Sequence, residues 1–389
     1  MGYGRVGKRR VVYVSGTRAD YGLMRSVLKR IQAARGLALT IVATGMHLSR
    51  EFGSTVEQIE RDGFQVSKRI ASLSPEDTGA GMLRSFSKFL SHLAEALEDI
   101  RPDIILLLGD RWEMLAGAMA GAYMNIPVAH IHGGEITGSV DEPNRHAITR
   151  FAHIHLVATR EHARVLRKIG EQQNRIHVVG APGLDDIVSH NFALPDRVAA
   201  EYGFDQNESH VLLVQHPVVT ESNLAGAQIK KTLDAIVRLH IPTTAIYPNA
   251  DAGGRQMIQV MKKYTSKHPF IRLYKNIPRD EYLALMAASS VIVGNSSSGI
   301  VEAASFGLPA VNIGTRQLGR IHARNVLNVD YDEREIAKAV KSALSASFRS
   351  KLRGLENPYG DGHSGQRVAK ILVDLRITRD LLQKKLDVA

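Results

Sequence analysis

The stretch RRVVYVSGTRADYG, residues 9–22, runs four apolar residues, Val11 to Val14, into a small charged turn. An unbroken apolar β-forming run reads as a strand buried on both faces. Where it ends, Gly16 and Gly22 flank Arg18, Asp20 and Tyr21. One reading is a turn with a solvated charge pair. A sharper one is an anion site, because a helix starting near Asp20 would point its free backbone N–H groups back at Arg18.

Outward from this turn, short β-rich runs alternate with amphipathic helical stretches, the pattern of parallel sheets covered by helices. Strands are predicted at 11–15, 39–44, 104–109, 127–132, 155–159 and 176–180, and again at 211–217, 243–250, 270–274, 291–296 and 309–314. Between the two sets lies GAPGLDD at 180–186, a Gly/Pro-punctuated link. The fold class is therefore α/β: two Rossmann-like, doubly wound domains facing a cleft. Their expected extents are 1–182 and 183–368, with a C-terminal helix over 369–389 that packs back on the first domain. Such sheets bind ligands at the carboxyl ends of their strands. GYGRVG at 2–7 matches a dinucleotide fingerprint but precedes the first strand instead of following it, so it reads as a tail.

A chain of 389 residues, 44% of them hydrophobic, can bury a large core. Its apolar stretches are too short or too interrupted to span a bilayer, and VVYVS is too short for a signal peptide. Gly2 lacks the Ser or Thr at position 6 of a myristoylation signal, and a cytoplasmic location is expected. The absence of cysteine excludes disulfides, thiolate metal sites and cysteine nucleophiles. A net charge of +11 keeps an anionic partner in play. The basic residues are scattered, with no Lys/Arg block interleaved with aromatics, so a small phosphorylated molecule is expected and no nucleic acid.

Polar residues cluster at the carboxyl ends of four predicted strands: GTRADYG, then Asp110-Arg111-Trp112-Glu113, Gly133-Gly134-Glu135, and Asn295-Ser296-Ser297-Ser298-Gly299. The last feeds a helix, so its N–H groups and hydroxyls can cradle a phosphate. A plain Ser N-cap is the bland alternative. It is weakened by Arg18 and Arg111 in the opposing domain. Ser298 stands where a nucleophile elbow needs its second Gly, which rejects a serine hydrolase. His130 and His132, two apart on one predicted strand face, with Glu135 beyond, would suit a divalent metal, but a core histidine bonded to a backbone carbonyl accounts for one of them; no metal and no cofactor are expected. In GSVDEPNRHAITR, Glu142 is a candidate N-cap with Pro143 at the first helical position, and Asp141 and Arg145 read as a cap and a surface pair. Asp110, Glu135 and Asp141 nevertheless make three carboxylates available near strand ends for proton transfer.

Taken in order, GTRADYG, GDRWE, HIHGGE, GSVDEPNRHAIT, QHPV, YPNADAGGR, GNSSSGIVEA, GTRQLGR and NPYGDG resemble the hydrolysing UDP-N-acetylglucosamine 2-epimerases of the sialic-acid pathway. Ala19-Asp20-Tyr21 stands where non-hydrolysing relatives carry a Pro-Glu pair. The resemblance implies a glycosyltransferase B-type fold with the nucleotide in the cleft and a homodimer or homotetramer. It implies that Arg18 and Arg111 contact UDP from the first domain, and His216, Asn249, Arg255, Ser296 and Ser297 from the second. It gives the ribose to Glu302, lets Arg316 complete the nucleotide site, and assigns catalytic roles to Asp110 and Asp141. Some relatives have Glu at the position of His132, which makes His132 or Glu135 the assisting acid/base group; Arg145 and His216 complete the expected catalytic set.

The implied reaction eliminates UDP from UDP-N-acetylglucosamine through 2-acetamidoglucal and hydrates it to N-acetylmannosamine. Two alternatives share the fold: the same chemistry on UDP-2,4-diacetamido-2,4,6-trideoxyglucose, or sugar transfer to an acceptor. A non-enzymatic nucleic-acid binder is a third.

Overall fold

The computed structural model describes residues 7–138 and 140–387. Of the GYGRVG match only Gly7 lies among them, so that tail falls outside the described residues. The first sheet contains seven parallel strands: β1 (Arg9–Ser15), β2 (Leu37–Thr44), β3 (Val66–Ile70), β4 (Ile104–Leu108), β5 (Val128–Ile131), β6 (Ile154–Val157) and β7 (Ile176–Val178), ordered β3-β2-β1-β4-β5-β6-β7. The second contains six: β8 (Val211–Val214), β9 (Thr243–Ile246), β10 (Ile271–Tyr274), β11 (Val291–Gly294), β12 (Ala310–Ile313) and β13 (Val326–Val329), ordered β10-β9-β8-β11-β12-β13. In each sheet the winding reverses beside the first strand, between β1 and β4 and between β8 and β11. That reversal opens a crevice at the carboxyl ends, and the two crevices face each other.

The opening strand shows why its sequence has no polar alternation. Val11 and Tyr13 pack beneath the helix Arg18–Ala33, while Val12 and Val14 point to the other face, against Phe89 and Leu93 of the helix Gly79–Ile100. Both faces are dry. The second domain repeats the scheme, with Leu212 and Val214 in one layer and Val211 and Leu213 in the other.

Several expectations need correction. The sequence reading missed β3 and β13, both edge strands whose residues are largely half-buried or exposed and so lack an apolar run. The first helix starts at Arg18 with Thr17 as N-cap, two residues before the expected Asp20. Asp20 is its third residue and completes a capping box. The helix predicted from Pro143 begins at Asp141, so Glu142 lies inside its first turn and is not the cap. The C-terminal helix runs from Ser364 to Asp374, not over 369–389, followed by one short turn at Arg379–Leu382. Its Val368 and Leu372 join the first-domain core beside Val27 and Ile31. Further along, the Lys384 ammonium donates to the carbonyls of Thr149 (2.6 Å) and Ala152 (2.9 Å), capping the carboxyl end of the helix Asp141–Phe151. Among the described residues no helix is long and apolar enough to cross a membrane.

Candidate active site

A cavity of about 270 Å³ opens between the two crevices, lined by residues of both domains. Arg18, Asp110, Arg111, His132, His216, Asn249, Ser296, Ser297, Glu302 and Arg316 all line it. All but Glu302, which follows the short helix Ser297–Val301, come just after the carboxyl end of a strand, so sequence-distant residues converge because the sheets are parallel.

The first-domain wall is ionic. Arg18 crosses the cleft and donates to the Lys275 carbonyl and to Asn276 Oδ1, both at 2.8 Å. Burial lowers its pKa to about 10, which still leaves it cationic at neutral pH. Arg111 grips Glu113 with two N–H groups (3.1 and 3.2 Å) and reaches Asp251 of the second domain at 3.0 Å. Burial alone would lower its pKa, but Asp251 and Glu113 outweigh burial and raise it. Asp110 is paired with Arg145; burial pushes its carboxyl up, and Arg145 and Arg320 outweigh that and hold it below the ordinary range.

Arg145, expected in the catalytic set, is fully buried and does not line the cavity, which removes the surface-pair alternative and places it behind the wall as a clamp. Besides Asp110 it holds the Glu135 carbonyl (2.9 Å), Glu142 (2.7 Å) and Thr137 Oγ1 (3.1 Å). His132 lies just past β5 with φ +67°, and therefore does not share a strand face with His130. His130 donates from Nε2 to the Gly109 carbonyl at 2.7 Å, and burial pushes its pKa down to about 3, the behaviour of a neutral core histidine. His132 binds through Nδ1 to Glu135 Oε1. Glu135 is completely buried, with Arg320 at its other oxygen; it holds His132 instead of lining the cavity. Burial would raise its pKa, but Arg320 and His132 drive it well below the carboxylate range.

The second-domain wall combines neutral donors with paired charges. His216 accepts the Asn249 N–H at Nδ1 (3.1 Å), which leaves the ring proton on Nε2. Its backbone is clamped on both sides by the Asn295 amide, at 2.7 and 2.9 Å. Burial, and then Arg316, Arg18 and Arg111, push its pKa well below 6.5. The ring is thus a neutral donor aimed into a cationic pocket. Ser296 caps the short helix Ser297–Val301, and Glu302 is paired with Arg279. Arg316 spans the cleft from the Asn295 carbonyl (3.3 Å) to Asp141 (3.4 Å).

One expected ligand is not brought in. Arg255 does not line the cavity: its guanidinium bonds Glu51 (3.0 Å) and lies over Phe52 at 5.9 Å. It sits at the start of the helix Gly254–Lys267, whose first N–H groups are capped across the domains by Asp77. Two cavity residues, Arg320 and Tyr282, and Asp251, which pairs with Arg111, are not singled out by the sequence; the second Arg of GTRQLGR was the one available signal for Arg320.

Comparison with known proteins agrees with this architecture. The family model for UDP-N-acetylglucosamine 2-epimerase matches residues 29–373. The chain belongs to this family. Among 2-epimerase relatives, the UDP-N,N'-diacetylbacillosamine 2-epimerase (hydrolyzing) of Legionella pneumophila is 40% identical over 97% of this chain and 98% of its own. The UDP-N-acetylglucosamine 2-epimerase of Neisseria meningitidis serogroup B is 33% identical over 87% and 88% respectively. The crystal structure of a Neisseria meningitidis UDP-GlcNAc 2-epimerase bound to UDP-GlcNAc superposes with TM-score 0.81 at 20% identity, covering 94% of this chain and 100% of that one. That likeness identifies the epimerase fold, two parallel-sheet domains of glycosyltransferase B type.

Proposed function

We propose that the chain is a hydrolysing 2-epimerase that removes UDP from a UDP-linked 2-acetamido sugar and releases the 2-epimer as free sugar. The observation that carries this reading is the convergence of two kinds of group on one cleft. Anion donors from both domains (Arg18, Arg111, His216 and the Ser296–Ser297 turn) line the same cavity as Asp110 and His132, and Asp141 stands behind Arg316, with which it pairs.

The carbon-2 proton is not next to a carbonyl and is barely acidic. Departure of UDP must therefore run ahead, leaving an oxocarbenium-like carbon 1 that acidifies its neighbour. Breaking the carbon 1–oxygen bond places negative charge on the diphosphate. Arg18, Arg111, His216 Nε2–H and the N–H groups at Ser297 are preorganised to accept it. A base of the first domain takes the carbon-2 proton, and the electron pair forms the glycal double bond. Water then adds its oxygen at carbon 1 while a proton returns to the other face of carbon 2. Asp110 and Asp141 are the proposed proton-transfer carboxylates, and His132 the assisting group. Asp141 is read as released from Arg316 when the nucleotide recruits that guanidinium.

The motif resemblance points to UDP-N-acetylglucosamine as substrate. The relative at 40% identity across the whole chain instead favours the 2,4-diacetamido-2,4,6-trideoxy sugar. We take that as the first reading; UDP-N-acetylglucosamine, favoured by the 33% relative, is the second, and the sialic-acid role stands or falls with it. Incubating the protein with each UDP-sugar and identifying the released sugar by NMR tests both. Release of UDP and a 2-epimerised sugar from the trideoxy substrate is expected. Transfer of the intact sugar to an acceptor would make the chain a glycosyltransferase instead.

A further inference from the structure

Residues 315–320 of the second domain form a bridge between the nucleotide-facing turn and the acid/base wall. On one side the Gln317 amide donates to the Asn295 carbonyl at 2.8 Å, so the bridge rests on the residue that precedes Ser296. On the other side Arg316 reaches Asp141, and Arg320 pairs with Glu135. The backbones approach closely here. A Cβ on Gly138 would fall 2.2 Å from the Thr315 carbonyl oxygen, and one on Gly319, at φ +87°, would fall 2.9 Å from the Ile136 side chain. Glycine at both positions lets the two domains meet and fixes where Arg320 arrives.

Glu135 uses one oxygen for His132 Nδ1 and turns the other to Arg320. His132 occupies a left-handed conformation that residues other than glycine rarely adopt, so its ring depends on an external anchor. With Nδ1 committed to Glu135, Nε2 is the atom left for the cavity. Arg145 holds the Glu135 carbonyl and not its carboxylate, so it does not duplicate Arg320. We propose that Arg320 is a positioning residue for the 2-epimerase reaction: it pins Glu135 from the opposite domain and thereby sets the tautomer and direction of His132 for proton transfer. This inference rests on the 2-epimerase reading above.

Kinetics of Arg320→Met, Glu135→Gln, His132→Gln and the His132→Gln/Arg320→Met double variant test it, on whichever UDP-sugar the unaltered protein accepts. Arg320→Met should lower kcat about 10- to 100-fold with KM within about twofold. Glu135→Gln should match it, Arg320→Lys should recover part of the loss, and the UDP-induced thermal shift should persist in all. The double variant should be no slower than His132→Gln alone, since both changes cut one chain. Unchanged kcat in Arg320→Met, multiplied losses in the double variant, or loss of the UDP shift would overturn the inference while the epimerase reading stands. Failure of the unaltered protein to release UDP from either sugar overturns the reading, and the inference with it.

Discussion

Two helix-opening turns meet the cleft from opposite sides and offer an anion different parts. At Gly16–Asp20 the chain closes its own helix. The Asp20 carboxylate accepts the N–H of Gly16 (3.0 Å) and Thr17 (2.6 Å), the Thr17 hydroxyl (2.9 Å) and the Tyr13 hydroxyl (3.0 Å). Those N–H groups are spent on a carboxylate, so the anion contact falls to the Arg18 side chain. At Asn295–Gly299 no carboxylate caps the helix among the described residues; the Ser296 hydroxyl takes the Ser298 N–H at 3.3 Å. A helix N-terminus serves a phosphate only where the sequence leaves it uncapped by charge.

That contrast can be broken by substitution. Arg18→Ala removes the first turn's whole contribution and should cost about 2.7 to 4 kcal/mol of transition-state stabilisation, roughly 100- to 1000-fold in kcat. Ser297→Ala leaves the backbone donors in place and should cost only about 0.5 to 1.5 kcal/mol. Equal losses in steady-state assays would erase the distinction. Asp20→Asn attacks the fold and not the chemistry: an amide cannot accept from all of those donors, and denaturant unfolding should show a loss of about 1 to 3 kcal/mol. The UDP-induced thermal shift should survive it. A last effect, felt only on the acid side, concerns His216. Its folded pKa lies below the unfolded value, so its neutral form contributes stability above about pH 6.5 that is lost as pH falls toward the folded pKa. His216→Gln should flatten the acid limb of stability against pH by up to about 1.4 kcal/mol per unit, measured by urea unfolding from pH 7 to 5.

The interior strands and the turns after them were legible because burial on both faces leaves continuous apolar runs and parallel order puts every functional turn at one edge. β3 and β13 were not, since an edge strand with one wet face carries Lys68, Arg69 or Asn328 within it. Arg18, Asp110 and Ser297 could be placed at strand ends from spacing and motif, and His216 only through the family resemblance. What spacing cannot give is which buried polar group answers which: a surface pair stays open as an alternative for Arg145 until its complete burial is seen, and Arg255 stands as a UDP contact by resemblance until Glu51 and Asp77 claim its surroundings. The Arg320–Glu135 pair joins residues 185 positions apart in sequence across two domains, a partnership that no local window contains.

The return of Val368 and Leu372 to the face of the helix Arg18–Ala33 has a consequence for biosynthesis. During translation the first sheet emerges early, yet one flank of its covering helix stays bare until nearly the whole second domain has been made. The nascent chain must keep that oily strip from sticking elsewhere, and the arrival of the helix Ser364–Asp374 ends the exposure.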